Sequence, residues 1–473
     1  MSGAPGALPA AELFALSPLD GRYRQLVAPL RACFSEAALI QARVAVEVAY
    51  LEALLGALGE TLSPAEQAWL AALPGQFGEA EAAAVKAIER ETNHDVKAVE
   101  LYLRQRLEAH PTLRARVGWV HLGLTSEDVN NLAWALLTRR ALLEVIQPAL
   151  RDLVASLREL ACTTAALPML ARTHGQPATP TTLGKEFGVF LGRLVRAARA
   201  LAAVPATAKL AGATGTFGAV AVAYPAVDWP AFSDAFVRSL GLTPVPVVTQ
   251  IEPHDGLAAW FDAAKRLASV LLDLDQDLWR YVSDGWLVQR AVAGETGSSA
   301  MPHKVNPIDF ENSEGNLGLA IALFEHGARK LPVSRLQRDL SDSTVQRAMG
   351  VAWGHLLLGV RMTQRGLSKL APAPEALAAA LQAHPEVLAE AYQVALRAEG
   401  QAEAYEALKD LTRGSRITLA DLHEFLVRSG ASPALQERLR ALTPDTFVGE
   451  APRLAALAIA EAEAWLAETA VGA

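Results

Sequence analysis

Three long stretches of helical periodicity, separated by short segments rich in proline and glycine, are the strongest constraint on the fold of this 473-residue chain. They cover residues 125–166, about 180–203 and about 253–292, and the third has no proline after its start. The mean helix of a globular protein has only about 11–12 residues. Helices of roughly 30–40 residues pack as long bundles rather than against a compact α/β sheet. The pattern therefore predicts an all-α protein with a central long-helix bundle.

Shorter helical patterns flank this bundle on both sides. Residues 35–57 form an amphipathic pattern with Ser35 as the expected N-cap, and a further helix is expected over 79–108. Pro148 lies inside the first long pattern and predicts a kink there. We predict three helical domains: an N-terminal domain (1–114), the central bundle (115–367) and a C-terminal domain (368–473).

Composition excludes several classes of function. The chain has 43 basic and 51 acidic residues, a net charge of −8, and no long Lys/Arg block, so a nucleic-acid partner is not expected. No apolar run approaches ~18–20 residues, so no membrane partner is expected either. Two cysteines provide neither a disulfide framework nor a four-thiolate metal site, which fits a reducing cytoplasm. The mean hydropathy of +0.19 favours an oligomer, in which apolar helix surface is buried between subunits.

Three loops between the long helices carry the groups most suited to chemistry: 172–177, 209–218 and 294–307. The last, GETGSSAMPHKVNP, lacks the spacing of a phosphate-binding P-loop and follows a helix rather than a strand. Its hydroxyls Ser298 and Ser299 and its cation Lys304 suit a lid that closes over an anionic substrate. An ordinary polar surface loop has the same composition.

Histidines are the candidate proton carriers. His174 lies in a predicted turn and is a candidate general acid. A structural histidine that donates to backbone carbonyls would give the same sequence pattern. His94 lies in a helical pattern, where a surface or capping role is favoured. No metal-ligand spacing occurs among the ten histidines. Asp273, Asp275 and Asp277 alternate along one helix and are interpreted as solvated or ion-paired acids, so neither a metal nor another cofactor is expected.

Cationic side chains could hold an anionic substrate. The candidates are Arg22, Lys97, Arg172, Lys304, Arg335, Arg338 and Arg347. The last three lie close together among Ser and Asp residues, and a guanidinium matches a phosphate or a carboxylate. The residues alone thus indicate a helical, oligomeric enzyme that handles an anion with a His/Ser pair and no metal.

Residues 297–307 (GSSAMPHKVNP) are similar to the signature loop of the fumarase/aspartase superfamily, whose members are helical tetramers that release fumarate. Six other segments resemble the bacterial adenylosuccinate lyase family: SPLDGRY (17–23), TNHDVK (92–97), TSED (125–128), RTHGQPAT (172–179), QIEPHD (250–255) and LPVSR (331–335). The resemblance implies cleavage of adenylosuccinate to AMP and fumarate, and of succinylaminoimidazole carboxamide ribotide to its carboxamide (AICAR) and fumarate. Both are β-eliminations that break a C–N bond.

The resemblance also implies roles for individual residues. Ser298 corresponds to the general base and His174 to the general acid. The substrate-binding positions carried over are Arg22, Tyr23, Asn93, His94, Asp95, Thr125, Ser126, Gln250, Ser299, Lys304, Asn306, Asn312, Arg338, Ser343 and Arg347. Residues 216–220 depart from the family's pattern, so no substrate contact is assigned to them.

The family's active site is assembled from three subunits, so a homotetramer with shared active sites and a small anionic nucleotide substrate are expected. Two alternatives have different sequence signatures. A sister lyase acting on fumarate, aspartate or argininosuccinate would not need the segments 17–23 and 250–255. A catalytically silent structural relative would not need His174, Ser298 and Lys304 together.

Overall fold

The computed structural model describes residues 13–291, 300–301, 303–414 and 417–470. Helices hold 68% of the chain, which confirms the all-α class. Those before residue 120 are Arg24–Val27, Arg31–Phe34, Glu36–Ala57, Pro64–Gly75, Glu79–Thr92 and Asp95–Glu108. Those of the middle are Ser126–Ala141, Gln147–Thr163, Leu183–Ala202, Gly218–Ala223, Trp229–Ser239, Asp255–Ser283, Ile308–Lys330, Ser341–Arg347 and Met349–Lys369. Those of the C-terminal part are Pro374–Gln382, Ala389–Ala398, Ala404–Thr412, Leu419–Arg428, Pro433–Arg440 and Ala451–Glu468. Short 3₁₀ segments occupy Ala28–Leu30, Leu113–Trp119 and Pro385–Leu388.

The strands of the described residues form three two-stranded sheets. Pro168–Thr173 pairs with Gln176–Thr182 and Leu287–Gln289 with Leu370–Pro372, both antiparallel. Thr207–Ala208 pairs with Thr243–Pro244 in parallel. These strands connect helices and form no layer of their own.

The tip of the first hairpin is a two-residue turn made of His174 and Gly175. Both residues have positive φ, +54° and +73°, and Thr173 pairs directly with Gln176. Two consecutive positive φ angles are the geometry of the tight turn whose twist matches that of paired strands. The prediction that His174 lies in a turn is confirmed, and the strands on either side of it are an addition to the sequence analysis.

The predicted kink near Pro148 is a single π-helical turn. Ser126–Ala141 passes through the π turn Leu142–Ile146 directly into Gln147–Thr163. Pro148 has no amide hydrogen to donate to the carbonyl four residues earlier, and a wider turn relieves the clash with its ring. This stretch alone reaches the expected length of 30–40 residues, because Leu183–Ala202 has 20 residues and Asp255–Ser283 has 29.

Two of the predicted helix boundaries were wrong. The helix expected over 79–108 is two helices, because Asn93 adopts a left-handed conformation with φ of +51° and ends the first. The helix expected to reach residue 292 ends at Ser283. Gly285, with φ of +75°, and the bond from the Trp286 amide to the Tyr281 carbonyl (2.9 Å) form a glycine cap there.

Ser35 caps its helix as predicted. Its hydroxyl accepts a hydrogen bond from the Ala38 amide at 3.2 Å, and Glu36–Ala57 follows without interruption. A side-chain acceptor at this position satisfies one of the amides that a helix leaves unpaired at its start.

By contacts between residues the chain forms two compact units. Unit 1 comprises residues 1–149, 197–269 and 315–360, and unit 2 comprises 150–196, 270–314 and 361–473. Unit 1 contains a core that includes Val44, Leu55, Leu70, Val99 and Leu103. Unit 2 contains a core that includes Leu388, Tyr392, Leu422, Leu426 and Leu435. The three-domain division drawn from the sequence stays a prediction.

No helix in the described part of the chain is long and apolar enough to cross a membrane.

Candidate active site

The segment Asn93–Asp95 forms a sharp corner between two helices of unit 1. His94 is the N-cap of Asp95–Glu108, and its Nδ1 accepts a hydrogen bond from the Lys97 amide at 3.0 Å. When the ring is neutral, this bond places its proton on Nε2. The side chain is 51% exposed, so His94 offers an N–H donor to a ligand.

Asp95 joins this corner to Arg347. Asp95 Oδ2 lies 2.7 Å from Arg43 NH2 and 2.7 Å from Arg347 NH2, and Arg347 NH1 also lies 3.3 Å from Glu36 Oε2. Burial opposes ionisation of Asp95, but the Arg43 guanidinium prevails and lowers its pKa to about 2. Asp95 is therefore a permanent anion that holds Arg347 in place.

Arg338 is the centre of a second group in unit 1. Its NH1 donates to Gln250 Oε1 at 3.4 Å, and its NH2 lies 3.6 Å from Glu127 Oε2 and 3.8 Å from Asp342 Oδ1. Its side chain remains 16% exposed. Gln250 is oriented by a bond from its Nε2 to the Ala213 carbonyl at 2.9 Å.

This arrangement brings together most of the binding positions expected in unit 1. Thr125 and Ser126 are half-buried and precede Glu127 at the start of Ser126–Ala141. Ser343 follows Asp342 on the short helix Ser341–Arg347, which also ends in Arg347. One short helix thus links the Arg338 group to the Asp95 group.

A buried ion pair anchors the Thr125–Ser126 segment. Asp128 accepts hydrogen bonds from the amides of Thr125 (2.9 Å) and Ala211 (2.9 Å) and from Lys209 Nζ (2.8 Å). The side chains of Asp128 and Lys209 are both 0% exposed. Through its bond to the Thr125 amide, the Asp128 carboxylate also caps the start of Ser126–Ala141.

The segment that carries Arg22 and Tyr23 lies next to a cavity of about 220 Å³. Ser17, Asp20 and Arg347 are among the residues that line it. The Arg22 guanidinium lies 5.8 Å from the centre of the Tyr23 ring. The cavity is a concave, partly charged space on the same side of unit 1 as Arg347.

Unit 2 carries His174, Lys304, Asn306 and Asn312. His174 is exposed at the hairpin tip, where Arg172 NH1 donates to the Gly175 carbonyl at 3.4 Å. Lys304 is exposed and Asn306 half-buried just before Ile308–Lys330, and Asn312 is half-buried within that helix. Ser298 and Ser299 lie outside the described residues.

Among the described residues, one group has donor atoms close enough together for a metal ion: Glu127, His254 and Asp342, whose donor atoms lie within 4.8 Å of one another. The Arg338 guanidinium contacts both carboxylates of this group. The group therefore already contains its own cation, and we assign no metal ion to it.

Nothing in the sequence alone singled out the buried residues that contact and support the binding positions. Arg43 and Lys209 are fully buried cations, and His254 is a buried histidine 3.4 Å from Asp342. Arg43 looked like any helix-surface arginine, because only its carboxylate partner, 52 residues away, makes its burial tolerable. A signal did exist for His254, since QIEPHD is one of the family's own segments.

Asp275 was wrongly interpreted as an ordinary solvated or ion-paired acid. It is 1% exposed, and Thr363 donates to it at 2.9 Å. Burial raises its pKa to about 8, although hydrogen bonds from Ser313 and Thr363 oppose the rise.

Comparisons with known proteins identify the family of this chain. The profile of a family described as Lyase matches residues 21–321, and one described as Adenylosuccinate lyase C-terminal matches residues 334–448. Adenylosuccinate lyase of Haemophilus influenzae is 46% identical over 446 residues, which cover 93% of this chain and 98% of the relative. The Escherichia coli K12 protein of that name is 46% identical over 443 residues (93% and 97%). The Dictyostelium discoideum protein is 44% identical over 453 residues (93% and 97%).

Solved structures support the fold. A 3-carboxy-cis,cis-muconate lactonizing enzyme from Pseudomonas putida matches with a TM-score of 0.73 at 22% identity, over 93% of this chain and 97% of that one. A fumarate lyase from Mesorhizobium sp. BNC1 matches with a TM-score of 0.73 at 19% identity, over 92% and 97%. With relatives above 40% identity across nearly the whole chain, the protein belongs to the adenylosuccinate lyase family of the fumarase/aspartase superfamily.

Proposed function

We propose that this chain cleaves adenylosuccinate to AMP and fumarate, and succinylaminoimidazole carboxamide ribotide to AICAR and fumarate. The observation that carries the proposal is the convergence of the family's anion-binding positions within unit 1, where Arg338 lies beside Gln250 and Arg347 beside Asp95. Relatives that bear the name adenylosuccinate lyase at 44–46% identity support the choice of substrate.

The substrate carries three anionic groups, a phosphate and two carboxylates, so the site needs several fixed cations. Arg22, Arg338 and Arg347 supply planar guanidinium groups, which match oxyanions in a bidentate way. Gln250, Thr125, Ser126 and Ser343 supply neutral hydrogen-bonding groups around them. The remaining binding positions in this proposal are Tyr23, Asn93, His94, Asp95, Ser299, Lys304, Asn306 and Asn312.

The elimination needs one base and one acid. In the proposed mechanism Ser298, as an alkoxide, removes the proton from Cβ of the succinyl group. The electron pair forms the double bond of fumarate, the C–N bond breaks, and His174 donates a proton to the leaving nitrogen. Serine is a weak base at its ordinary pKa, so neighbouring donors and Lys304 must stabilise both the alkoxide and the charge on the adjacent carboxylate.

The proposal includes a cytoplasmic homotetramer with shared active sites. The expected acid, His174, belongs to unit 2, whereas Arg338 and Arg347 belong to unit 1. A site that takes these residues from different subunits requires assembly, since an isolated chain then holds no complete set.

Two alternatives remain distinguishable by experiment. A sister lyase of the superfamily would release fumarate from argininosuccinate, aspartate or malate instead. A catalytically silent relative would form the same assembly and turn over none of these compounds.

The deciding experiment is a spectrophotometric assay of the purified protein with adenylosuccinate, run beside argininosuccinate, aspartate and malate, each with and without EDTA. We expect conversion of adenylosuccinate alone, at the same rate with the chelator. Loss of activity with EDTA would contradict the metal-free mechanism. Turnover of another compound in the panel, or of none, would overturn the proposed substrate in favour of the corresponding alternative.

A further inference from the structure

Unit 1 contains a buried cluster of charges, formed by Glu127, His254 and Asp342. Arg338, a proposed binding residue that is 16% exposed, lies at the outer edge of this cluster. Glu127 and His254 are each 1% exposed and Asp342 is 3% exposed. His254 Nε2 lies 3.4 Å from Asp342 Oδ2. The three buried residues come from the segments 125–128, 250–255 and 338–347, each of which also carries expected binding positions.

The contact between Glu127 and Arg338 places two opposite charges near each other without forming a hydrogen bond between them. The distance from Arg338 NH2 to Glu127 Oε2, 3.6 Å, exceeds that of a charge-assisted hydrogen bond, about 2.7–2.9 Å. Among the described residues, neither carboxylate oxygen of Glu127 nor Nε of Arg338 has a hydrogen-bond partner, and all three atoms are buried. The Arg338 guanidinium thus keeps donor capacity for another anion, and no donor in this described part of the chain compensates for the burial of Glu127.

We propose that Glu127 is a proton-accepting positioning residue: when an oxyanion of the ligand takes the guanidinium of Arg338, Glu127 takes up a proton from solvent. The inference rests on the proposed function, because it assumes that Arg338 binds an anionic group of the substrate. Glu127 acts through Arg338 and does not itself touch the substrate.

The electrostatics of the cluster give the direction of this coupling. The charged groups that act most strongly on Glu127 are His254, Arg338, Asp342 and Lys209. Burial raises the pKa of Glu127 to about 7, His254, Arg338 and Lys209 oppose the rise, and Asp342 adds to it. When a ligand anion neutralises Arg338, one opposing charge is lost, so the pKa of Glu127 rises further and the carboxylate binds a proton.

The surroundings of the other two buried members favour their charged forms, unlike those of Glu127. Burial opposes the ionisation of His254, yet its bond to Asp342 and the charges of Glu127 and Glu252 raise its pKa. Burial also opposes the ionisation of Asp342, but the bond from His254 and the charge of Arg338 lower its pKa. Folding therefore favours the neutral form of Glu127 but the charged forms of His254 and Asp342.

The test measures proton uptake directly. AMP and fumarate are each titrated into the protein by calorimetry at pH 7.5, in HEPES and in Tris, whose ionisation enthalpies differ. AMP carries only a phosphate and fumarate only carboxylates, so the ligand that drives uptake identifies the oxyanion that Arg338 binds. We expect uptake of a fraction of one proton with one of them, and uptake with neither would overturn the proposal.

Two variants assign the proton. Glu127→Gln keeps the shape of the side chain and should abolish the uptake. The matched control Glu100→Gln changes a buried carboxylate that pairs with Lys97 and Arg104 instead of Arg338, and it should behave as wild type. The same uptake in Glu127→Gln as in wild type would overturn the assignment.

The pH dependence of affinity separates positioning from a merely structural role. Because binding takes up a proton, the wild-type dissociation constant should rise as pH increases above about 7, by at most about tenfold per pH unit. Glu127→Gln should make KM nearly independent of pH in this range, with a smaller effect on kcat.

If that variant fails to fold, the pH profile of the wild-type dissociation constant still tests the proposal, because a flat profile would overturn it. Failure of wild type to cleave adenylosuccinate would instead overturn the proposed function.

Discussion

At the scale of single residues, the backbone at the hairpin tip determines where the proposed acid stands. His174 occupies the first central position of a two-residue turn with φ of +54°, followed by Gly175 at +73°. Left-handed conformations are uncommon for residues other than glycine, with His among the types enriched there after Asn and Asp. The short turn leaves the ring exposed on a rigid hairpin, where it can reach a ligand.

Replacing His174 tests its role as the acid. His174→Ala should lower kcat by ~10²-fold or more with little change in KM, because general acid catalysis is lost while the binding groups remain. The measurement is steady-state turnover of adenylosuccinate, with His326→Ala, at an exposed histidine within the helix Ile308–Lys330, as control. Near-normal turnover of His174→Ala would remove this residue from the mechanism.

The two adjacent serines can be separated in the same assay. Ser298→Ala should stall proton abstraction, because it removes the only group proposed to act as base, while Ser299→Ala should chiefly weaken substrate binding. Circular dichroism and native mass measurement establish that both variants fold and assemble. The reverse pattern, with Ser298→Ala benign and Ser299→Ala inactive, would exchange the two roles.

At the scale of elements, buried ion pairs set the positions of the binding segments. Asp128 connects the start of Ser126–Ala141 to the segment of Lys209 and Ala211 through two hydrogen bonds, of 2.8 and 2.9 Å. Arg43 connects the helix Glu36–Ala57 to Asp95. Buried ion pairs of this kind fix the positions of the two segments that they join, because separating the two charges would leave each one buried without a partner.

The Asp128 anchor predicts a large effect on stability. Asp128→Asn leaves the ammonium group of Lys209 buried without its counter-charge, which should destabilise unit 1 by about 3–5 kcal/mol. Urea-induced unfolding followed by circular dichroism should show a clearly lower midpoint. The control Asp234→Asn, in an exposed pair with Arg238, should leave the midpoint nearly unchanged. Equal midpoints for both variants would show that the buried pair contributes no net stability.

At the scale of the whole molecule, buried carboxyl groups couple stability to pH. Asp275 has a folded-state pKa of about 8, well above the ~3.9 of an unfolded chain. A group whose pKa is raised on folding contributes stability that is fully present below its unfolded pKa and is lost as pH rises through the folded one. Its contribution should therefore decline between about pH 4 and pH 8.

Asp275→Asn should remove this decline, because an amide does not titrate. Relative to wild type, the melting temperature of the variant should rise between pH 5 and pH 8.5 by about 2 °C or more. Asp262→Asn, at a carboxylate whose side chain is 57% exposed, is the control. Parallel melting curves for Asp275→Asn and wild type across this range would contradict the expected titration.

Subunit mixing tests the shared active site. His174→Ala and Ser298→Ala should each be inactive alone, yet mixed tetramers should recover up to about a quarter of wild-type activity if one site takes the two residues from different subunits. The native mass should be about four times the 50.3 kDa of the chain. Tetramers that mix but recover no activity would indicate that both residues of a site come from one subunit.

Local sequence signals predicted much of the fold, and the family resemblance supplied the residues of the candidate site. Ser35, Asp128 and Pro148 act within four residues of their own positions, so the caps and the disturbed helix turn could be predicted from the sequence. The family resemblance likewise supplied His174, inside the segment 172–179, and the two binding arginines, Arg338 and Arg347, which follow the segment 331–335.

Tertiary structure decided what depends on residues distant in the chain. Arg43 and Asp95, 52 residues apart, and Glu127 and Asp342, which both face Arg338, look like ordinary polar residues until folding removes them from water. The pKa of Asp275 likewise depends on burial and on Thr363, 88 residues away. Helix periodicity and capping arise from neighbouring residues, whereas desolvation and charge pairing depend on surroundings that exist only in the folded protein.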